Sequence, residues 1–117
     1  MYYLILLKKY WETLMTDRDK IWTEIVENLK EVYDPEISIN VYDLGLIYEI
    51  NITQPHVDIV MTLTSAFCPA ADEIIADVHQ AVTMAEGVET CDVKITFDPE
   101  FSPEMMSEDA KMILGVY

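Results

Sequence analysis

The sequence predicts an α/β fold of the α+β type: a two-layer sandwich in which helices cover one face of a three-stranded mixed or antiparallel sheet. The first observation behind this prediction is the order of periodic segments along the chain, α-β-β-α-β-α. The second is that each strand alternates apolar and polar residues, so only one face of the sheet needs cover. A chain of 117 residues can bury one modest core. We therefore expect an N-terminal extension over residues 1–15 and a single domain over residues 16–117.

The first helix is predicted to begin at Thr16 or Asp17, because either side chain can act as an N-cap. One apolar face follows at helical spacing, formed by Ile21, Ile25, Leu29 and Val32. We expect this helix to end near Tyr33, since Asp34 precedes Pro35 and is thereby pushed out of the α region.

Two strands are predicted next, over residues 46–53 and 57–64. In the first, Tyr48, Ile50 and Ile52 recur with the period of two that a half-buried strand requires. The turn between the strands contains Pro55 and is short, so the two strands are expected to pair as an antiparallel hairpin.

The second helix is predicted over residues 69–86, because Gly87 suits the position just after a last helical turn. A third strand follows over residues 88–97. A short last helix is expected to open at Ser107 and to end at Gly115.

A polar turn with one cysteine lies between the second strand and the second helix. Thr64, Ser65 and Cys68 crowd this turn, and Pro69 fits the first turn of a helix. Cys68 is thereby expected at or beside the N-cap, where free N–H groups and the helix dipole favour a thiolate. Spacing alone leaves two interpretations open: a site for an anion, a metal or a reactive sulfur, or a small apolar residue that closes a loop.

Composition narrows the classes of partner. The chain has 22 Asp and Glu against 7 Lys and Arg, which gives a formal net charge of −15. Because this charge repels phosphate groups, we expect no nucleic-acid partner and no anionic membrane. The apolar run Tyr2–Leu7 is too short to span a membrane. Lysines follow this run, whereas the positive charges of a signal peptide precede its apolar segment. Cys68 and Cys91 form no disulfide framework, which favours a cytoplasmic protein.

A cysteine–histidine enzyme is disfavoured by the positions of the two histidines. His56 is expected about 25 Å from the Cys68 thiol, because it lies at the far end of the second strand. His79 is expected about 16 Å away along the second helix. A nucleophile needs its base within hydrogen-bond distance. Cys91 shares the phase of Val93 and Ile95, so we expect it in the core.

The predicted topology brings several segments to one edge of the sheet. Strand one begins at the edge where strand two ends, and strand three returns to that edge after the second helix. The loop before strand one, the turn around Cys68 and the segment after strand three should therefore meet there, as a candidate site. The predicted site residues are Asp34, Glu36, Asp43, Thr62, Thr64, Ser65, Cys68 and Phe101.

An ordered set of motifs points to a known family. These are Asp34–Ile37, Asp43–Tyr48, Met61–Thr64 with Cys68-Pro69, Pro103–Ser107 and Leu114-Gly115. They resemble the SufT/PaaD-like family of metal–sulfur cluster assembly factors. The resemblance implies a small α/β domain that assists insertion of iron–sulfur clusters into client proteins in the cytosol. By position, the residues that match the family's motif are Asp34, Glu36, Asp43, Thr62, Thr64 and its signature thiol Cys68.

The chain departs from the family pattern at two places. Phe101 stands where the family commonly has tryptophan, which keeps an aromatic ring but loses an N–H donor. The residues after Gly115 carry no further cysteine, unlike the tail of the phenylacetate-pathway members. We therefore expect a general maturation factor.

The leading hypothesis is a factor without enzymatic activity in which Cys68 contacts a transient iron–sulfur cluster or iron. Because a cluster takes about four ligands, two chains pooling Cys68 in a homodimer, or ligands from other molecules, would complete it. The expected partners are the iron–sulfur assembly machinery and client apoproteins. The alternatives are a cysteine-dependent thiol transferase, a phenylacetate-pathway-type oxygenase assembly subunit, and a scaffold that docks clients through its acidic surface.

Met15 is predicted to be the functional start if the gene is bacterial. Trp11 and Glu12 are encoded by TGGGA followed by A or G, which is similar to a ribosome-binding site and lies just upstream of Met15. The alternative is an extra helix packed on the sheet or on a partner chain. Intact mass of the protein from its native host distinguishes the two, and a species that retains residues 1–14 would contradict the predicted start.

Overall fold

The computed structural model describes residues 16–115. Within them, helices α1, α2 and α3 cover Asp17–Leu29, Ala71–Thr83 and Glu108–Leu114, and strands β1, β2 and β3 cover Ile47–Thr53, His56–Met61 and Thr90–Ile95. A 3₁₀ turn over Pro103–Met105 precedes α3. The predicted order α-β-β-α-β-α is confirmed. The predicted extension over residues 1–15 and the predicted start at Met15 lie outside the described residues.

The strands form one sheet in the order β1-β2-β3. β1 and β2 pair as the predicted antiparallel hairpin, with Ile50 opposite Ile59. β2 and β3 run parallel, with Ile59 opposite Val93, and α2 supplies the crossover that a parallel pair requires. The sheet is therefore mixed, one of the two arrangements that the sequence allowed.

Helices cover one face of this sheet. On β2, Val57, Ile59 and Met61 are fully buried, whereas the residues between them are partly exposed. α1 and α2 share one apolar cluster with the buried strand residues, and Ile25 and Val78 are fully buried within it. The two-layer prediction is confirmed. We call the side of the sheet away from the helices the open face.

The helix caps follow the sequence signals. The Thr16 hydroxyl accepts a hydrogen bond from the Asp19 N–H at 3.1 Å, and the Asp19 carboxylate accepts one from the Thr16 N–H. Ser107 caps α3 by accepting from the Ala110 N–H at 3.2 Å. Gly115 ends α3 with a φ of 71°, a left-handed conformation that glycine adopts without strain.

Two predicted boundaries were wrong around the cysteine. β2 ends at Met61, not at residue 64. Met61 lies opposite the first residue of β1 and the last residue of β3, so later residues have no strand to pair with. α2 begins at Ala71, not at Pro69, and its N-cap Ala70 makes no side-chain cap. Cys68 therefore lies two residues before the N-cap. We call residues 62–70 the thiol loop.

The end of α1 also differs from the prediction. The helix ends at Leu29, because Tyr33 is extended and pairs with Asn40 in an isolated bridge. The apolar side chain of Val32, which was predicted to continue the helix face, is still buried. None of the helices in residues 16–115 combines the length and apolar character needed to cross a membrane.

Candidate functional site at the end of the sheet

The edge of the sheet where β2 ends collects the segments that the topology predicted. The Thr62 N–H donates to the Leu46 carbonyl at 2.8 Å, which joins the start of the thiol loop to the residue before β1. The Thr96 N–H donates to the Met61 carbonyl at 2.8 Å, which joins the segment after β3 to the same place. Three chain segments therefore meet at this edge.

The 3₁₀ turn packs closely on the loop before β1. Gly45 has a φ of 81°, and a Cβ atom at this position would lie 2.8 Å from the Met105 carbonyl carbon. Next to this contact, the Ser107 N–H donates to the Asp43 carbonyl at 2.7 Å. Glycine is required here both for the left-handed backbone and for the close approach.

The predicted carboxylates of the loop before β1 bind their own loop. Asp34 is 2% exposed, and its Oδ1 accepts from the Glu36 N–H at 2.9 Å. The carboxylate of Asp43 accepts from the Asn40 side-chain amide at 2.7 Å, and Asn40 Oδ1 accepts from the Asp43 N–H. These hydrogen bonds fix the carboxylates of Asp34 and Asp43 within the loop, while Glu36 is exposed. The sequence analysis missed Asn40, although an Asn three residues before an Asp is typical of such a turn.

The thiol loop is held by local turns. Ser65 Oγ accepts from the Phe67 N–H at 3.2 Å, and the Ser65 carbonyl accepts from the Cys68 N–H at 3.3 Å. The Cys68 carbonyl then accepts from the Ala71 N–H at 3.2 Å, which leads into α2. Thr62 is fully buried, whereas Thr64 is partly exposed. Cys68 itself is partly buried, and its side chain packs against the core.

An aromatic depression of about 290 Å³ lies beside the thiol loop. It brings together Thr64, Ser65 and Phe101 of the predicted site. Phe67 and Phe97, which the sequence analysis did not select, also line it, and the Phe67 side chain is 93% exposed. We call Phe67, Phe97 and Phe101 the aromatic patch. The remaining predicted residues do not line this depression: Asp34, Glu36, Asp43, Thr62 and Cys68.

A larger depression of about 680 Å³ lies on the open face at the same end of the sheet. Its lining includes Tyr48, Val60, Lys94 and Met105 but none of the predicted site residues. The Tyr48 hydroxyl donates to the Pro99 carbonyl at 2.8 Å, which ties the segment after β3 to this face. The thiol and the larger cavity are therefore separate features.

The second cysteine is a core residue. Cys91 is 6% exposed, which confirms the prediction from its strand phase. Burial, together with the nearby negative charges of Asp92 and Asp58, raises the pKa of the Cys91 thiol to about 11. A thiol with this pKa stays protonated at neutral pH and is a poor metal ligand, since metals bind the thiolate.

The surroundings of Cys68 provide no ready-made metal centre. Within residues 16–115, the one group of three His, Cys, Asp or Glu ligand atoms close enough to share an ion is formed by His56, Asp58 and Asp92. His56 begins β2, at the end of that strand opposite to the thiol loop, as the sequence predicted. Cys68 belongs to no such group among these residues.

Comparison with known proteins identifies the family. The profile of a family described as "Iron-sulfur cluster assembly protein" matches residues 23–95, which include β1, β2, the thiol loop, α2 and β3. The chain belongs to this family. The resemblance to the SufT/PaaD-like assembly factors is thereby confirmed.

Individual relatives agree with this assignment. A Porphyromonas gingivalis protein named "Fe-S protein maturation auxiliary factor" is 48% identical over 105 residues, which cover 89% of this chain and 95% of the relative. A Staphylococcus aureus protein named "Fe-S protein maturation auxiliary factor SufT" is 38% identical over 86 residues, covering 73% of this chain and 98% of the relative. The crystal structure of a domain of unknown function from Bacillus anthracis matches with a TM-score of 0.76 and 32% identity, covering 83% of this chain and 93% of that one.

Proposed function

We propose that this protein is an iron–sulfur maturation factor of the cytosol that carries iron or a cluster at Cys68 and passes it to client apoproteins. The observation that carries this proposal is a partly exposed thiol in the thiol loop of a chain that belongs to an iron–sulfur assembly family. The names of the relatives support it. Two free cysteines support a reducing compartment.

The cargo is held by few protein ligands in this proposal. A cluster takes about four ligands, and Cys68 supplies one. A second copy's Cys68 in a homodimer, the assembly machinery or the client supplies the others. A cargo with a single ligand from the carrier is released by exchange of one bond, which suits delivery without catalysis. Thr64 and Ser65, which are not fully buried in the thiol loop, would donate hydrogen bonds to the cargo.

The aromatic patch is the proposed contact surface for clients. Aromatic residues are enriched at the centres of protein interfaces, and Phe67 is 93% exposed beside the thiol. The neighbouring Asp98 and Glu100 are exposed, and the chain has a formal net charge of −15. Clients with a basic rim around an apolar anchor would therefore be favoured.

Anaerobic reconstitution with ferrous iron and sulfide tests the proposal. The parent chain and a Cys91→Ser control should develop a cluster chromophore and transfer it to a client apoprotein that requires one. Cys68→Ser should do neither, and circular dichroism should show that both variants are folded. A chromophore that persists in Cys68→Ser would contradict the role of this thiol. A parent chain that takes up no iron would contradict the cargo role and favour a docking scaffold, and turnover of disulfide substrates would favour a thiol transferase.

A further inference from the structure

The open face of the sheet carries a histidine and two aspartates at the end farthest from the thiol loop. His56 and Asp58 are two residues apart on β2 and therefore share this face. In the parallel pairing of β2 with β3, His56 lies opposite Thr90 and Asp58 lies opposite Asp92. The sheet register thus gathers four polar side chains in a two-by-two array.

The ligand atoms in this array are spaced like atoms that share one metal ion. His56 Nε2 lies 3.0 Å from Asp58 Oδ1 and 3.4 Å from Asp92 Oδ2. The three residues offer ligand atoms that all lie within 4.8 Å of one another. Bonds from Zn²⁺ to nitrogen and oxygen are about 2.0–2.2 Å, so neighbouring ligand atoms on one ion lie roughly 3.0–3.5 Å apart. The two histidine–aspartate distances match this spacing, and the ligand atoms of Asp58 and Asp92 lie within 4.8 Å of each other.

The other ring nitrogen of His56 is already oriented. His56 Nδ1 lies 2.6 Å from Thr90 Oγ1. Metal-binding histidines use their second nitrogen in this way, because a fixed partner sets the orientation of the ring and the nitrogen that is free to bind.

The charges favour a cation at this place. Asp58 and Asp92 lie directly opposite each other on neighbouring strands, and like charges in this position are destabilising. Among residues 16–115, no lysine or arginine lies within ion-pair distance of either carboxylate. The side chains of His56, Asp58 and Asp92 are 33%, 50% and 81% exposed, so an ion can enter from solvent.

We propose that His56, Asp58 and Asp92 bind one divalent first-row transition-metal ion, such as Zn²⁺, with water in the remaining positions. One imidazole nitrogen with two carboxylate oxygens favours such an ion over Mg²⁺ and Ca²⁺, which prefer oxygen ligands alone. This site is separate from Cys68 and does not depend on the proposed maturation function.

Calorimetric titration of Zn²⁺ into the untagged full chain tests the site. The experiment uses a Cys68→Ser background, so that the partly exposed thiol cannot take up the ion. We expect one saturable site, whose affinity falls at least about tenfold in His56→Gln and in Asp92→Asn. Asp92 is 81% exposed, so its substitution should not impair folding.

The second histidine provides the matched control. His79 is exposed on α2, and His79→Gln should bind Zn²⁺ as the background does. Mg²⁺ should give no comparable heat at the same concentration. The absence of saturable Zn²⁺ binding, equal binding by His56→Gln and the background, or an equal loss in His79→Gln would each overturn the proposal.

Discussion

Cys68 and Cys91 differ in exposure although both contact the same core. Cys91 is 6% exposed on β3, whereas Cys68 is partly exposed in the thiol loop. In the folded protein we therefore expect alkylation of one thiol, Cys68, detected as one added mass by mass spectrometry. Two added masses without denaturant would contradict the burial of Cys91.

Cys68→Ser should abolish complementation of a deletion strain while leaving the melting temperature nearly unchanged, because the thiol is proposed to act on cargo. Cys91→Ser should retain function and lose about 1–3 kcal/mol of stability, because a hydroxyl in the core lacks a partner. Survival of a strain that carries Cys68→Ser would rule out an essential thiol.

The raised pKa of Cys91 predicts a pH dependence of stability. The pKa of its thiol rises from the ordinary value of 9.0 to about 11 in the fold, chiefly because the thiol is buried. Below the lower value the Cys91 thiol is protonated in both the folded and the unfolded state. As pH rises toward the upper value, the thiol of the unfolded chain loses its proton first. The contribution of the protonated Cys91 thiol to the free energy of unfolding is therefore fully present below pH 9.0 and is lost as pH rises through about 11.

Urea unfolding of the parent and of Cys91→Ala at about pH 8 and about pH 10.5 measures this effect. The parent should lose more stability between the two conditions than the variant, by on the order of 2 kcal/mol. The comparison cancels the titration of lysines and tyrosines, which both proteins share. Equal losses in the two proteins would show that the Cys91 thiol does not titrate differently in the fold.

At the scale of elements, the contact between Gly45 and the 3₁₀ turn should control the stability of the site. Gly45→Ala places a side chain at a φ of 81°, which costs about 1–3 kcal/mol, and also forces the Met105 backbone away. Gly115→Ala is the matched control, because Gly115 has a φ of 71° but a Cβ atom there would meet no atom of the described residues within 4 Å, apart from its chain neighbours. Urea unfolding should show a larger loss for Gly45→Ala, and equal losses would contradict the close packing.

The order and faces of the elements could be predicted because they depend on local patterns. Apolar periodicity located α1, α2 and the three strands of the described residues, and the hydroxyls of Thr16 and Ser107 marked the starts of α1 and α3. The ends of β2 and α1 could not be predicted from pattern alone. β2 ends where its pairing with β1 and β3 ends. α1 ends because Tyr33 pairs with Asn40. Both endings depend on contacts between distant segments.

The sequence predicted which segments meet at the end of the sheet, but not the hydrogen bonds that their side chains make there. Topology placed the loop before β1 beside the thiol loop, and the hydrogen bond from Thr62 to Leu46 agrees with this. The carboxylates of Asp34 and Asp43 accept hydrogen bonds within their own loop, from the Glu36 backbone and the Asn40 amide. Exposure of an apolar residue such as Phe67 has no signal in a single sequence. The roles of the predicted residues in binding cargo stay predictions.

At the scale of the whole molecule, the aromatic patch and the acidic charge should act together in client recognition. Phe67→Ser should leave the melting temperature unchanged, because the side chain is 93% exposed, and should slow cluster transfer to a client. Met112→Ser is the control, since Met112 is a 65% exposed apolar residue on α3. Transfer should also slow as salt is added, because charge complementarity acts on association rates. Equal transfer rates for the two variants would contradict docking at the patch.

The parallel pairing of β3 with β2 has a consequence for the order in which the chain folds. β1 and β2 are joined by a short turn, whereas β3 reaches β2 only after the thiol loop and α2. Closing the longer connection costs more chain entropy, so β3 should dock after the hairpin has formed. Cys91 lies on β3, so protection of its thiol from alkylation reports the docking of β3 onto β2. In a Cys68→Ser background, a pulse of alkylating reagent during refolding should still label Cys91 at times when the hairpin amides are already protected from hydrogen exchange. If the Cys91 thiol and the hairpin amides became protected at the same time, the sheet would form in one step.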